Sequence, residues 1–149
     1  MSTGEPAGPG GRDQLRRVYQ AAWAKHQRGL PLDAMEARVV AVIGEHPEYH
    51  GDMIDPDAVH AEYPPESGRT NPFLHLGLHV ALREQIASDR PPGIAALVGA
   101  LGAGHPDRHA LEHRIIDCLG ATLWRAQSEG RLPDEQAYLD CVRGLAGGP

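Results

Sequence analysis

Asn71-Pro-Phe-Leu-His-Leu-Gly-Leu-His-Val-Ala-Leu-Arg-Glu-Gln-Ile86 is the stretch on which the fold turns. Asn71 can accept hydrogen bonds from the unpaired N–H groups of a first helical turn, and Pro72 has its φ preset for the first helical position. Behind them Phe73, His75, Leu78, His79, Leu82 and Ile86 recur at helical rather than period-two spacing, which predicts a helix from Pro72 through Ile86. His75 and His79 then sit one turn apart on one face, the placement that lets two imidazoles reach a single metal ion.

The segments on either side read the same way. Leu15, Val18, Tyr19, Ala22 and Trp23 follow the rule of an amphipathic helix that starts near Arg12 and is stopped by Gly29 and Pro31. Asp33 followed by Glu36 has the form of a capping box, so a second helix is expected from Ala34 to Glu45. Pro47 disfavours helical backbone at His46, which should end that helix or cap a short new one. Gly51 to Arg69, rich in proline and acidic residues, reads as a long connection with a turn of helix near Asp57 to Glu62. Ile94 to Leu101 is a short apolar segment closed by Gly102 and Gly104.

Asp107 to Ser128 is expected to be the longest helix, lying near the middle of a bundle, and a last helix carries Ala137, Tyr138, Cys141 and Val142. No segment alternates β-branched residues with period two. The fold class is therefore all-α, a compact bundle of about five or six helices joined by Pro/Gly turns. Residues 1–11 read as a disordered tail, 12–145 as a single helical domain and 146–149 as a flexible end. Trp23 and Trp124, with Tyr19 and Tyr138, are expected as core anchors.

The chain has 149 residues, 14 Lys+Arg against 20 Asp+Glu, and a formal net charge of −6, which disfavours a nucleic-acid partner. The apolar stretch Ile94 to Ala103 is far short of the roughly 20 residues that span a bilayer, and no charged-then-apolar leader is evident. A cytoplasmic protein with no membrane partner is expected. The 2 cysteines, Cys118 and Cys141, lie far apart without a CxxC arrangement, so neither a disulfide framework nor a thiolate zinc site is expected. Cys118, five residues beyond His113, reads as an inert core residue. A serine-hydrolase elbow, a phosphate loop and a dinucleotide fingerprint are all lacking.

Of the 9 histidines, seven fall into a spacing of four: His46 with His50, His75 with His79, and the run His105, His109, His113. His105 precedes Pro106 and reads as a loop residue, while His26 and His60 read as ordinary polar positions. The expected ligands are His46, His50, His75, His79, His109 and His113, with Asp117 one turn beyond His113 as a carboxylate. Glu112, beside His113, and Glu84 are further carboxylates near the set. Imidazole donors suit transition metals, whereas magnesium and calcium prefer oxygen.

Three stretches carry a resemblance. His46-Pro-Glu-Tyr-His50, Thr70 to His79 continuing through Arg83-Glu84-Gln85, and Glu112-His113 with Cys118-Leu119 and Leu123-Trp124-Arg-Ala-Gln127 resemble the proteobacterial domain-of-unknown-function family eighteen forty-one, over roughly Arg12 to Arg143. That resemblance implies no activity. The ligand inventory is similar to that of oxygen-binding hemerythrin proteins and, more loosely, of ferritin-like di-metal bundles, which favours iron; the Glu-x-x-His pairs of the ferritin type are missing. The leading expectation is a His-rich, non-haem, mono- or dinuclear iron centre serving oxygen or redox chemistry or metal handling, with zinc or copper as other ions. Two alternatives stand beside it: a haem protein with paired axial histidines, and a non-catalytic adaptor whose histidines form a structural network. The metal ion is the expected partner; no protein partner is indicated.

Overall fold

The computed structural model describes residues 9–147. Seven α-helices run through them and no strand is present among the described residues, so the fold is all-α, with slightly more helices than expected. None of these helices is long and apolar enough to cross a membrane. The chain divides into two compact units, residues 1–77 and 78–149.

The first unit contains α1 (Pro9–Gln27), α2 (Ala34–Gly44), α3 (His50–Ile54) and the start of α4 (Pro72–Ser88). Of the tail expected over residues 1–11, residues 1–8 lie outside the described residues, and the remainder already belongs to α1. The capping box of α2 forms as expected: Asp33 accepts from the Glu36 N–H at 2.8 Å and Glu36 accepts from the Asp33 N–H at 2.9 Å. These reciprocal bonds satisfy two donors that the first turn of a helix leaves over. The core packs Tyr19, Ala22 and Trp23 with Val39, Val42, Ile43, Met53, Phe73 and Leu76. Leu15 and Val18, expected on the buried face of α1, are instead 60% and 45% exposed.

The connection after α2 is more ordered than its composition predicts. It holds α3 and 3₁₀ turns at Pro47–Tyr49, Pro56–His60 and Pro65–Ser67. Side chains of α1 supply the reason. Arg16, 5% exposed, donates to the carbonyls of Val59 at 3.0 Å and Ala61 at 2.9 Å. Gln20 donates to those of Asp52 at 3.0 Å and Asp55 at 2.9 Å. A segment that cannot form its own ladder thus gains partners for its carbonyls, and the buried guanidinium gains acceptors that offset its desolvation.

The second unit contains the remainder of α4, then α5 (Ile94–Ala103), α6 (Arg108–Glu129) and α7 (Glu135–Arg143). Asp89 caps α5 from a distance, its carboxylate accepting from the N–H groups of Gly93 at 3.1 Å and Ala95 at 3.0 Å. Gly130 ends α6 at φ 64°, the left-handed conformation glycine adopts without penalty, and Arg131 N–H closes the turn on the Ala126 carbonyl at 3.0 Å. The core joins Leu82, Ile94, Leu101, Leu111, Ile115, Ile116, Leu119, Tyr138, Leu139 and Val142.

Two expectations about α6 and α7 are corrected here. Cys118 and Cys141, 23 residues apart, are joined by a disulfide that ties α6 to α7; Cys118 is buried as expected but not inert. Trp124 is 70% exposed and Leu123 41% exposed, so Trp124 is no core anchor and α6 presents a face to water rather than being enclosed all round. Helical periodicity marks a stripe of large apolar residues, and α6 buries the part of it formed by Leu111, Ile115, Ile116 and Leu119.

Candidate metal centre

α4 starts where the sequence places it. Asn71 Oδ1 accepts from the N–H groups of Phe73 at 3.0 Å and Leu74 at 3.1 Å, and Pro72 occupies the first helical position. This fixes the rotational phase of the helix and turns His79 fully inward, at 0% exposure, with His75 half-buried one turn before it.

In the first unit, His46 is buried two residues beyond the end of α2, at the N-cap position of the turn begun by Pro47. Its Nδ1 lies 2.8 Å from the Val42 carbonyl, which can only accept, and so carries the proton. The ring meets His75 edge-on at 5.2 Å between centroids and stacks on Tyr49 at 5.8 Å. His50 goes elsewhere: its Nε2 is 2.9 Å from the Ile43 carbonyl and its ring lies 4.6 Å from Trp23. The pair His46 and His50 does not converge ring to ring. His46 pairs with His75 instead.

In the second unit three imidazoles converge. α6 is capped by Asp107, which accepts from the Ala110 N–H at 3.0 Å, and presents His109 and His113 on consecutive turns. Ring centroids are 4.3 Å apart for His109 and His113, 4.8 Å for His79 and His113, and 6.1 Å for His79 and His109. Two imidazoles on one ion, with metal–nitrogen bonds of ~2.1 Å, have centroids roughly 5 Å apart, a spacing close to that of His79 and His113. Exposure rises from buried His79 through half-buried His113 to exposed His109. Asp117 is exposed, and His105 is half-buried just before α6.

The feature missed by sequence reasoning is the ion pair behind this cluster. Glu112 Oε1 stands 3.2 Å from His79 Nδ1. Arg83 holds the same carboxylate by two parallel bonds, Nε to Oε2 and Nη2 to Oε1, each 3.0 Å. Burial acts to raise the Glu112 pKa, but the contacts with His79 and Arg83 outweigh it and bring it down to about 2. An ionised carboxylate can only accept, so a proton on His79 Nδ1 would face Glu112 and leave the Nε2 lone pair for an ion. A signal was present: Arg83 lies four residues beyond His79 and so shares its helix face. The pair is no surface bridge: the Arg83 side chain is 25% exposed and that of Glu112 16%.

An all-α chain that turns histidines from α4 and α6 toward one another, with a carboxylate behind the buried one, defines a class of helical protein with a histidine-lined interior. The particular family follows from the comparison with family models. The model described as Domain of unknown function (DUF1841) matches residues 11–144, and the chain belongs to that family. Searches of curated proteins and of solved structures find no match.

Proposed function

We propose that this protein binds a first-row transition metal through His79 and His113, with His109 at the exposed end of the cluster. The observation that carries this reading is the arrangement of His79: a fully buried imidazole, its Nδ1 set against Glu112 and two further histidine rings within 6.1 Å. A metal-bound histidine characteristically presents its other ring nitrogen to a carboxylate, which fixes the tautomer and raises ligand basicity. Such a donor set suits iron, zinc, copper or nickel, and iron leads on the similarity of the ligand inventory to oxygen-binding helical proteins. Oxygen or redox chemistry, or metal handling, is the role this supports.

The haem alternative fits less well. His79 and His109 are nearly parallel, as axial ligands can be, but His113 lies 4.8 Å from one and 4.3 Å from the other, in the space a porphyrin would need. For Asp117, exposed to solvent, we propose no ligand role.

Thermal melting of the full-length protein, loaded with metal and then stripped with a chelator, tests the proposal. At free metal about a thousandfold above Kd the stabilisation is about 4 kcal/mol, equivalent to a shift of about 8 °C or more for a chain of this size. The shift should vanish in His79→Ala. Identical melting of loaded and stripped wild type would contradict the reading.

A further inference from the structure

The last helix of the second unit is attached to it in three ways. With 9 residues, α7 is shorter than the roughly 12 to 15 at which an isolated helix becomes even marginal in water, so it persists only while it is seated. Tyr138, Leu139 and Val142 insert into the core that they share with α6. The hydrogen bonds of Asp134, Gln136 and Arg143 close on α7 and its cap, while Tyr138 reaches α4 by donating to Gln85 Oε1 at 2.7 Å. The third attachment is the bond from Cys141 to Cys118.

The seat of α7 is incompletely filled. A cavity of about 140 Å³ opens at its start, lined by Gln85, Pro91, Leu119, Leu123, Pro133 and Tyr138. Side chains on those walls lack the packing partners that a filled interior supplies. The link from α6 adds little, since Gly130 turns at φ 64° and Leu132 beyond it is 86% exposed. The staple therefore carries a large share of what keeps α7 in place. Its two ends differ: Cys118 is buried, whereas Cys141 is exposed. Thiol–disulfide exchange needs access to one sulfur, and Cys141 offers it without unfolding of the unit.

We propose that the Cys118–Cys141 bond is a redox latch: a dithiol reductant opens it from the Cys141 side, and α7 then detaches from α4 and α6 while the rest of the second unit stays folded. A thiolate of the reductant attacks Cys141 Sγ, the Cys118–Cys141 bond breaks, and Cys118 leaves with the bonding pair and takes up a proton. The second thiol of the reductant, giving up its proton, attacks the reductant sulfur of the mixed disulfide, closes the reductant's own disulfide and releases Cys141, which is protonated in turn. Two electrons and two protons pass from reductant to protein. Detachment bares the apolar seat of Tyr138, Leu139 and Val142, so the oxidised and reduced forms present different surfaces.

Hydrogen exchange of the full-length protein, first oxidised and then reduced with dithiothreitol under native conditions, tests the latch, with alkylation and mass measurement to count free thiols. Reduction should free both thiols without denaturant and speed exchange in α7 about a hundredfold, the effect of reopening a loop of this length, while α4 and α5 change little. Cys118→Ala/Cys141→Ala should exchange in α7 as fast as the reduced protein whether or not dithiothreitol is present, which separates the latch from other effects of the reductant; if that variant does not fold, the comparison of oxidised with reduced wild type suffices. A chain that forms no such bond under oxidising conditions, or a bond that yields only in denaturant, overturns the proposal. So does equal α7 exchange in the oxidised and reduced forms, or acceleration of α4 and α5 together with α7.

Discussion

In the first unit, His46 and His50 each set a ring nitrogen against a carbonyl of α2, at 2.8 Å and 2.9 Å, and lie against Tyr49 and Trp23. In the second, His79, His109 and His113 turn their rings toward one another, and the buried one faces a carboxylate that arginine holds in place. His46 with His50 and His109 with His113 share the same spacing of four in sequence, and His79 joins the second set from α4. The difference lies in what stands against the first nitrogen of each ring: a backbone carbonyl within hydrogen-bond distance for His46 and His50, an ionised carboxylate at 3.2 Å for His79. Either partner can orient a metal-binding imidazole. Spacing alone selects candidates; the approach of one ring to another ranks them.

The contrast should appear most strongly in metal content. His79→Ala removes the buried imidazole and should abolish high-affinity binding, with metal per chain falling to about a tenth or less, since even the groups that only orient a ligand are worth about 10–100-fold in affinity. His50→Ala should leave metal content unchanged and lower stability through lost packing on Trp23 and the lost contact with the Ile43 carbonyl. Equal metal loss in the two variants would erase the distinction between the units.

A second difference is covalent. The Cys118–Cys141 disulfide lies wholly in the second unit. Closing a loop of this length removes denatured-state entropy amounting to about 3 kcal/mol in the chain-entropy model. Cys141→Ser should therefore lower stability by about that much, and hydrogen exchange should accelerate in α6 and α7 more than in α1 and α2. Uniform acceleration across both units would show that the staple does not act locally.

The next effect is on pH dependence in the metal-free protein. The Glu112 pKa is lowered from 4.5 to about 2 in the folded state. A carboxylate with a depressed folded pKa contributes stability above its unfolded value, and that contribution disappears as pH falls from about 4.5 toward 2. The amount is about 3 kcal/mol. Glu112→Gln should flatten that part of the stability profile. A profile with the same acid slope in Glu112→Gln and wild type would contradict the ion-pair account.

The smallest effect is expected at the surface. Trp124 is 70% exposed, and Trp124→Ser should change stability by no more than about 0.5 kcal/mol in denaturant melts. A loss of several kcal/mol would mean that Trp124 packs as the sequence suggested.

Local signals were legible where neighbours in sequence supply the physics. Asn71 and Pro72 set the start of α4, Asp33 and Glu36 the start of α2, and Pro47 the turn that follows His46. All three rest on bonds within a few residues. What could not be read depends on tertiary placement. Arg83 and Glu112 are 29 residues apart, and nothing in either segment names the other. Cys118 and Cys141 meet only because α6 and α7 pack side by side. The exposure of Trp124 depends on which part of α6 finds a partner, which its own periodicity does not state. For the candidate centre, the histidines of α4 and α6 were visible as donors. The acid that orients the buried one was visible only as a neighbour of His113, and its link to His79 needed the fold.

The central claim is that the second-unit histidines hold a metal. Elemental analysis of full-length protein purified from unsupplemented medium tests it most directly, with wild type and the His79→Ala/His113→Ala double variant prepared side by side. The account predicts near-stoichiometric transition metal in wild type and little in the folded double variant. A wild-type protein free of transition metal, or a double variant carrying the same amount, would contradict it.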